Sequence, residues 1–299
     1  MVVVAAGRDE CGLIAGPLLE LEAEDPAVEG EGTFEVGDLQ VDVADVDAGI
    51  DRHSRIVRPG RCEAARMFDR SAELYDLVYG FKDYAGEADR LDELIRERLP
   101  HARSLLDVAC GTGKHLVELA DRYPDVAGLD LDEGLLAIAR ERLPHVPLHH
   151  CDMTAFDLGR RFDAVTCLFS AIGYTGTEAR LRTSIAAMAR HLEPGGVLLV
   201  EPWLDPQTWK PGHLHLLTVD DLEVKIARAT VAALEGTTSI LDFHYLVVTA
   251  AGVEHFTEHH EAALFTREQY VGAFEAARLV VEHDEEGLIG RGLYVAGAR

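Results

Sequence analysis

The 299-residue chain carries 53 acidic side chains against 28 lysines and arginines, a formal charge of −25 at neutral pH. A surface that acidic repels phosphate backbones across its whole field, which argues against a nucleic-acid partner but leaves room for one locally held small anion. No run reaches the ~18 to 20 apolar residues of a spanning helix. The opening "MVVVAAGRDE" has no basic stretch before its apolar run, so the sequence predicts no signal peptide, no membrane partner and a cytoplasmic location. Five scattered cysteines at 11, 62, 110, 151 and 167 form no CxxC pair and read as reduced thiols.

Residues 1–62 differ from the rest of the chain. The first 60 carry 14 acids against 4 arginines. That density of like charge argues against a core, so 1–62 reads as an acidic extension, partly ordered or forming a small lobe. From residue 63 the pattern becomes regular. "AGEADRLDELIRERL" predicts a helix, "SLLDVA" a buried strand, "KHLVELADRY" a helix, "VAGLDLD" a strand and "EGLLAIARERL" a helix. A short strand in "VPLHHCD", a strand in "FDAVTCLFSAI", a helix in "TEARLRTSIAAMARHL" and a strand in "GGVLLVEPW" continue the alternation. Such alternation defines an α/β fold with a largely parallel sheet covered on both faces. After Trp203, β-branched runs broken by glycine predict an antiparallel insertion of three to four strands over about 204–262, then the helix "TREQYVGAFEAARL" and a last strand pair around "VVEHDEEGLIGRGLYVAGA".

The segment "LLDVACGTGKHLVELA" carries the chemistry. Asp107 closes a strand and "ACGTG" opens a turn at the carboxyl end of the sheet, where glycines let a ligand approach the backbone. A dinucleotide fingerprint would place a third glycine where Leu116 stands, so a nicotinamide enzyme is disfavoured. Asp130 ends the next strand 17 residues beyond Gly113, where a carboxylate can accept both hydroxyls of a ribose diol. Asp152, 22 residues further on, is placed to accept from an exocyclic amine, with Met153 against a purine ring.

With these motifs in place, the chain from about Ala65 onward resembles the class I S-adenosylmethionine-dependent methyltransferases, whose fold is Rossmann-like with a seven-stranded, mostly parallel sheet. More narrowly it is similar to the N,N-dimethyltransferases of TDP-linked amino sugars in antibiotic biosynthesis, the desosamine and mycaminose type. "AELYDLVY", "KDY", "SLLDVACGTGKHL", "RFDAVTCLFSAIGY", "PGGVLLVEPW", "LFTREQY" and "GRGLYVAG" carry the likeness.

The resemblance implies S-adenosylmethionine as cofactor, a TDP-amino-sugar substrate and a homodimer. It assigns Ala109, Gly111 and Gly113 to the methionine and ribose, Asp130 to the ribose hydroxyls, and Leu131, Asp152 and Met153 to the adenine. Tyr75 and Tyr84 fall in a helical cover over cofactor and substrate. Glu201 and Trp203 follow a strand end facing the same crevice, and Arg291 corresponds to an arginine near the nucleotide diphosphate. Tyr174, in "SAIGY", stands where relatives read "SSIGH", replacing a substrate-site histidine. Tyr174 and Glu201 are thus the candidates to position the amine or accept its proton. His244 is the pocket candidate among the histidines of the insertion. No metal is expected, because the spacing of His255, His259 and His260 fixes no convergence. Another small-molecule N- or O-methyltransferase, or a non-catalytic cofactor-binding module, remain the alternatives.

Overall fold

The computed structural model describes residues 70–298, so the expectation for 1–62 falls outside the described residues. Two short helical turns, Ala72–Leu74 and α1 (Tyr75–Val78), precede α2 (Tyr84–Arg98). The sheet strands come next as β1 (Ser104–Val108), β2 (Asp125–Asp130), β3 (Leu148–His150), β4 (Phe162–Cys167) and β5 (Leu192–Val200), with α3 (Lys114–Ala120), α4 (Glu133–Arg142) and α5 (Glu178–Arg190) between them. Then come β6 (Leu214–Asp220), β7 (Val224–Glu235), β8 (Thr238–Thr249), β9 (Gly252–Ala263), α6 (Arg267–Ala276), β10 (Leu279–Asp284) and β11 (Leu293–Ala298).

The seven-stranded sheet runs in the order β10-β11-β5-β4-β1-β2-β3, parallel from β5 to β3, with the β10–β11 hairpin antiparallel at one edge. The period-2 side-chain alternation of a strand sends neighbouring leucines of β1 to opposite faces. Leu105 packs with Leu91 and Ile95 of α2 and Leu116 of α3, whereas Leu106 packs with Leu181 and Ile185 of α5 and Phe274 of α6. Helices cover both faces, which accounts for the near-continuous burial of β1, β2 and β4. Helix starts are set by side-chain caps. Asp132 accepts from the N–H groups of Gly134 and Leu135 at the head of α4, and Thr266 and Gln269 form a capping box on α6.

The insertion is a four-stranded antiparallel sheet in the order β6-β7-β8-β9. Its inner face carries Phe243, Tyr245 and Phe256, which pack with Val78, Tyr79, Phe169, Trp203 and Trp209. That packing seats the sheet over α1 and the turn after β4. One expected element is shorter than its apolar pattern suggests: "FDAVTCLFSAI" predicts a strand to Ile172, but β4 ends at Cys167. Phe169 and Ser170 both adopt left-handed backbone, with φ of 53° and 60°, which no extended strand accommodates. Among the described residues no helix is long and apolar enough to cross a membrane.

Candidate active site

The carboxyl ends of β1, β2 and β4 open onto a cleft lined by Tyr75, Ala109, Gly111, Asp130, Leu131, Asp132, Asp152, Met153, Phe169 and Tyr174, among others. A smaller recess shares Tyr75, Ala109, Gly111 and Phe169 with it and continues past Tyr84, Asp107, Lys114 and His115. Eight of the nine sequence-predicted cofactor residues therefore line one continuous surface.

Backbone geometry explains the ACGTG turn. Ala109 has φ of 60° and Gly111 φ of 56°, a left-handed conformation that costs a non-glycine residue roughly 1–2 kcal/mol. A Cβ added at Gly111 would meet no atom within 4 Å, so its missing side chain leaves open room at the cleft floor. Gly113 differs. Its φ of 77° begins α3, and an added Cβ would come within 3.1 Å of Leu143 and 3.4 Å of Ala139. Gly113 thus serves helix packing and, unlike the other expected cofactor residues, does not line the cleft.

Asp130 is buried, with Oδ2 accepting from Gly111 N–H and Oδ1 from Asp132 N–H, each at 2.8 Å. Burial pushes its pKa up, and the two backbone donors pull against that rise. The donors fix the carboxylate's direction while each oxygen keeps a lone pair for a diol. Asp152 accepts from Thr154 N–H at 2.8 Å and lies 3.1 Å from Arg180, and Leu131 is half-exposed at the cleft mouth. Hence the donor set and free space of the cleft fit an adenosyl cofactor.

The cover is tied to the glycine turn by Asp76. Its Oδ1 accepts the Thr112 hydroxyl at 2.7 Å, and its Oδ2 pairs with Arg142, whose Nη1 also donates to the Thr112 carbonyl. Tyr75, next in sequence, lines the cleft and packs at a tilt against Tyr79. Tyr84 packs edge-on against His115, whose Nε2 lies 2.7 Å from Glu87, itself 2.7 Å from Lys82. Asp107 is buried beside this cluster and accepts from Thr166 at 2.8 Å, and burial pushes its pKa up to about 6.

The expected substrate residues divide. Tyr174 lines the cleft, and its hydroxyl lies 3.1 Å from Nδ1 of His260. Glu201 lines neither cleft. It is fully buried, and its Oε2 accepts the backbone N–H of Phe169 at 2.5 Å, so its carboxylate braces the strained turn behind the cleft wall. Burial raises its pKa, while Arg291 and Lys82 oppose the rise. Arg291 donates to Ser170 Oγ at 2.6 Å and lies over the rings of Phe169 and Trp203, which places it under the same turn and not on either cleft surface. Trp203 is buried, donating its indole N–H to Ser239 at 2.9 Å, and packs in the core of the second sheet.

His244 lies away from the cleft. Strand alternation turns Phe243 and Tyr245 inward and His244 to the exposed outer face, where it stacks on His255. Sequence reasoning missed His260 and Phe169. His260 shares the inward register of β9 with Phe256 and Glu258, a weak alternation signal, whereas nothing local marks the left-handed turn at Phe169. Among the described residues no group of three or more His, Cys, Asp or Glu converges as a metal site.

A seven-stranded sheet of this order with a glycine turn and a buried carboxylate, Asp130, at its carboxyl edge is the class I methyltransferase architecture. In agreement, residues 105–196 match a family model described as a methyltransferase domain. The chain is 48% identical over 226 residues to the dTDP-3-amino-3,6-dideoxy-alpha-D-glucopyranose N,N-dimethyltransferase of Streptomyces fradiae, covering 75% of this chain and 89% of that protein. It is 41% identical over 226 residues to the dTDP-4-amino-2,3,4,6-tetradeoxy-D-glucose N,N-dimethyltransferase of Saccharopolyspora spinosa, covering 75% and 91%. Among solved structures, Streptomyces venezuelae DesVI superposes with a TM-score of 0.74 at 44% identity over 76% of this chain and 98% of its own. The S-adenosylmethionine-bound amino pentose methyltransferase CalS10 of Micromonospora echinaspora gives 0.71 at 42% identity over 76% and 97%. The chain belongs to the family of dTDP-amino-sugar N,N-dimethyltransferases.

Proposed function

We propose that this protein uses S-adenosylmethionine to methylate the amino group of a dTDP-linked deoxy amino sugar twice, giving an N,N-dimethyl sugar for antibiotic biosynthesis. The reading is supported most by the identity to the Streptomyces fradiae enzyme over 226 residues, more than twice the span of the general methyltransferase match. The likeness therefore extends beyond the cofactor-binding segment.

When bound, the cofactor supplies an electrophilic methyl group on a sulfonium. The chain's task is then mainly orientation. Asp130 accepts the ribose hydroxyls, Gly111 gives the methionine portion room against the backbone, and Tyr75 covers it. Tyr174 stands at the cleft wall to receive the amine N–H. Glu201, Arg291 and Trp203 act behind that wall by holding the Phe169–Ser170 turn in place.

The protein acts in the cytoplasm as a homodimer. The outer face of the second sheet supports the dimer: Leu214, Leu216 and Val231 are 73%, 66% and 56% exposed and adjacent in register, an apolar patch of the kind that pairs between subunits. Sedimentation of wild type against Leu216→Asp checks it, and a monomeric wild type contradicts it. The acceptor is tested by measuring S-adenosylhomocysteine release with a dTDP-amino sugar and with its hydroxy counterpart. Turnover with the amine alone is expected, whereas preference for the hydroxy sugar overturns the N-methyl assignment.

A further inference from the structure

Resting on the amino-sugar reading, we propose that His260 is a positioning residue that takes the substrate's proton through Tyr174, with Glu258 completing a buried Tyr–His–Glu chain. Three elements build it. The turn Ala171–Thr175 carries Tyr174, and Gly173 beside it lacks a Cβ that would stand 3.0 Å from the Trp203 Cβ and 3.3 Å from the Ala262 Cβ. That close approach brings the Tyr174 hydroxyl within 3.1 Å of His260 Nδ1.

His260 and Glu258 share the inward face of β9, and Glu258 Oε2 lies 3.7 Å from His260 Nε2. Glu258 is in turn fixed by the backbone N–H groups of Ser71 at 2.9 Å and Arg70 at 3.3 Å. With Tyr174 donating to Nδ1, the ring carries its hydrogen on Nε2, facing the carboxylate. The other polar groups turned toward the pair are Tyr79, Tyr245 and Arg228, the last donating to the Tyr79 hydroxyl at 2.9 Å. Burial holds His260 below the ordinary imidazole range, with Glu258 opposing that shift, so at neutral pH the ring is a proton acceptor. Glu258 lies below the usual carboxylate range: burial would raise it, but the nearby His260 ring and the Ser71 N–H outweigh burial.

The step balances without an added reagent. The amine lone pair forms the new carbon–nitrogen bond as the carbon–sulfur bond breaks, its electron pair staying with sulfur. The N–H proton then passes to the Tyr174 oxygen while the phenol proton passes to His260 Nδ1. A neutral amine, an intact tyrosine and an imidazolium facing Glu258 remain, and the imidazolium returns its proton through Tyr174 to solvent after product leaves. Tyr174 need not become a free phenolate, which its burial disfavours strongly.

The test uses the full chain. His260→Asn keeps an oxygen able to accept the Tyr174 hydroxyl but takes up no proton. It should lower kcat by about 10²-fold with an amino sugar while KM for that sugar stays within about twofold. Tyr174→Phe should show a similar loss, and the double variant should be no worse than either single one. Glu258→Gln, which retains an acceptor for Ser71, should lower kcat less and move the acidic limb of its pH profile. Unchanged kcat in His260→Asn, or additive losses, would overturn the relay. Nitrogen-15 spectra of His260 in the protein without ligands give an independent readout: hydrogen on Nε2, with an Nδ1 resonance that shifts in Tyr174→Phe. Hydrogen on Nδ1 would overturn the proposal without any turnover measurement. Absence of wild-type turnover on every amino sugar would overturn the acceptor reading instead.

Discussion

The backbone N–H of Phe169 donates to the buried carboxylate of Glu201 at 2.5 Å, joining the turn after β4 to the end of β5. Phe169 also lines both parts of the cleft, and its ring lies 4.1 Å from the Lys82 ammonium. The pair holds a cleft-wall residue in left-handed backbone, a strain of roughly 1–3 kcal/mol that persists only where surrounding contacts enforce it.

Glu201→Gln keeps an oxygen acceptor for Phe169 and should retain most turnover. Glu201→Ala leaves that N–H buried and unpaired, at a cost of about 1–3 kcal/mol, and should lower both thermal stability and kcat. Loss of kcat in Glu201→Gln with an unchanged melting temperature would restore the carboxylate as a proton acceptor.

The two glycines of the ACGTG turn should separate binding from folding. Gly111→Ala adds a methyl in open space at the cleft floor, so calorimetry should show weaker S-adenosylhomocysteine binding with a modest stability loss. Gly113→Ala presses on Leu143 and Ala139, so its larger effect should be a lowered melting temperature. The reverse ranking contradicts the assignment.

In the proposed role of Asp130 as diol acceptor, Asp130→Asn removes the charge while leaving an oxygen for one backbone donor. Hydrogen bonds to a charged group contribute about 1.5–3 kcal/mol, so S-adenosylhomocysteine affinity should fall by about 10- to 100-fold. An affinity within about twofold of wild type would remove Asp130 from the cofactor site.

Asp107 predicts a pH effect on stability. Its folded pKa of about 6 lies above the unfolded carboxylate value of about 4, so the unfolded chain releases this proton first. Stability contributed by the neutral acid is present below roughly pH 4, declines as pH rises through about 6, and stays lost above it. Asp107→Asn should remove this decline and raise stability at pH 8 by up to about 3 kcal/mol, because the shift is near two pKa units. Denaturant titrations of both proteins at several pH values measure the difference, and equal slopes between pH 4 and 6 would contradict it.

Much of this site was legible because period and position coincide at strand ends. Asp130 closes an apolar run, and the glycines of ACGTG punctuate the strand-to-helix turn, so one-dimensional spacing located both. The wall behind the substrate was harder to read. Glu201, Trp203 and Arg291 were expected at the cleft from their places near strand ends and glycines, yet all three converge from distant segments on the turn behind it. His244 and His260 show the same limit: strand register, fixed only by pairing across β7, β8 and β9, turned one outward and the other toward Tyr174. Phe169 left no local signal, since its backbone conformation is imposed by a carboxylate 32 residues away.

The most direct measurement is product analysis after incubation with S-adenosylmethionine and a panel of dTDP-3-amino and dTDP-4-amino sugars, using mass spectrometry for methyl count and NMR for position. The account predicts that one panel member gains two methyl groups, both on nitrogen, through a monomethyl intermediate. Methylation on oxygen, or no transfer to any amine by a protein that binds the cofactor, would contradict it.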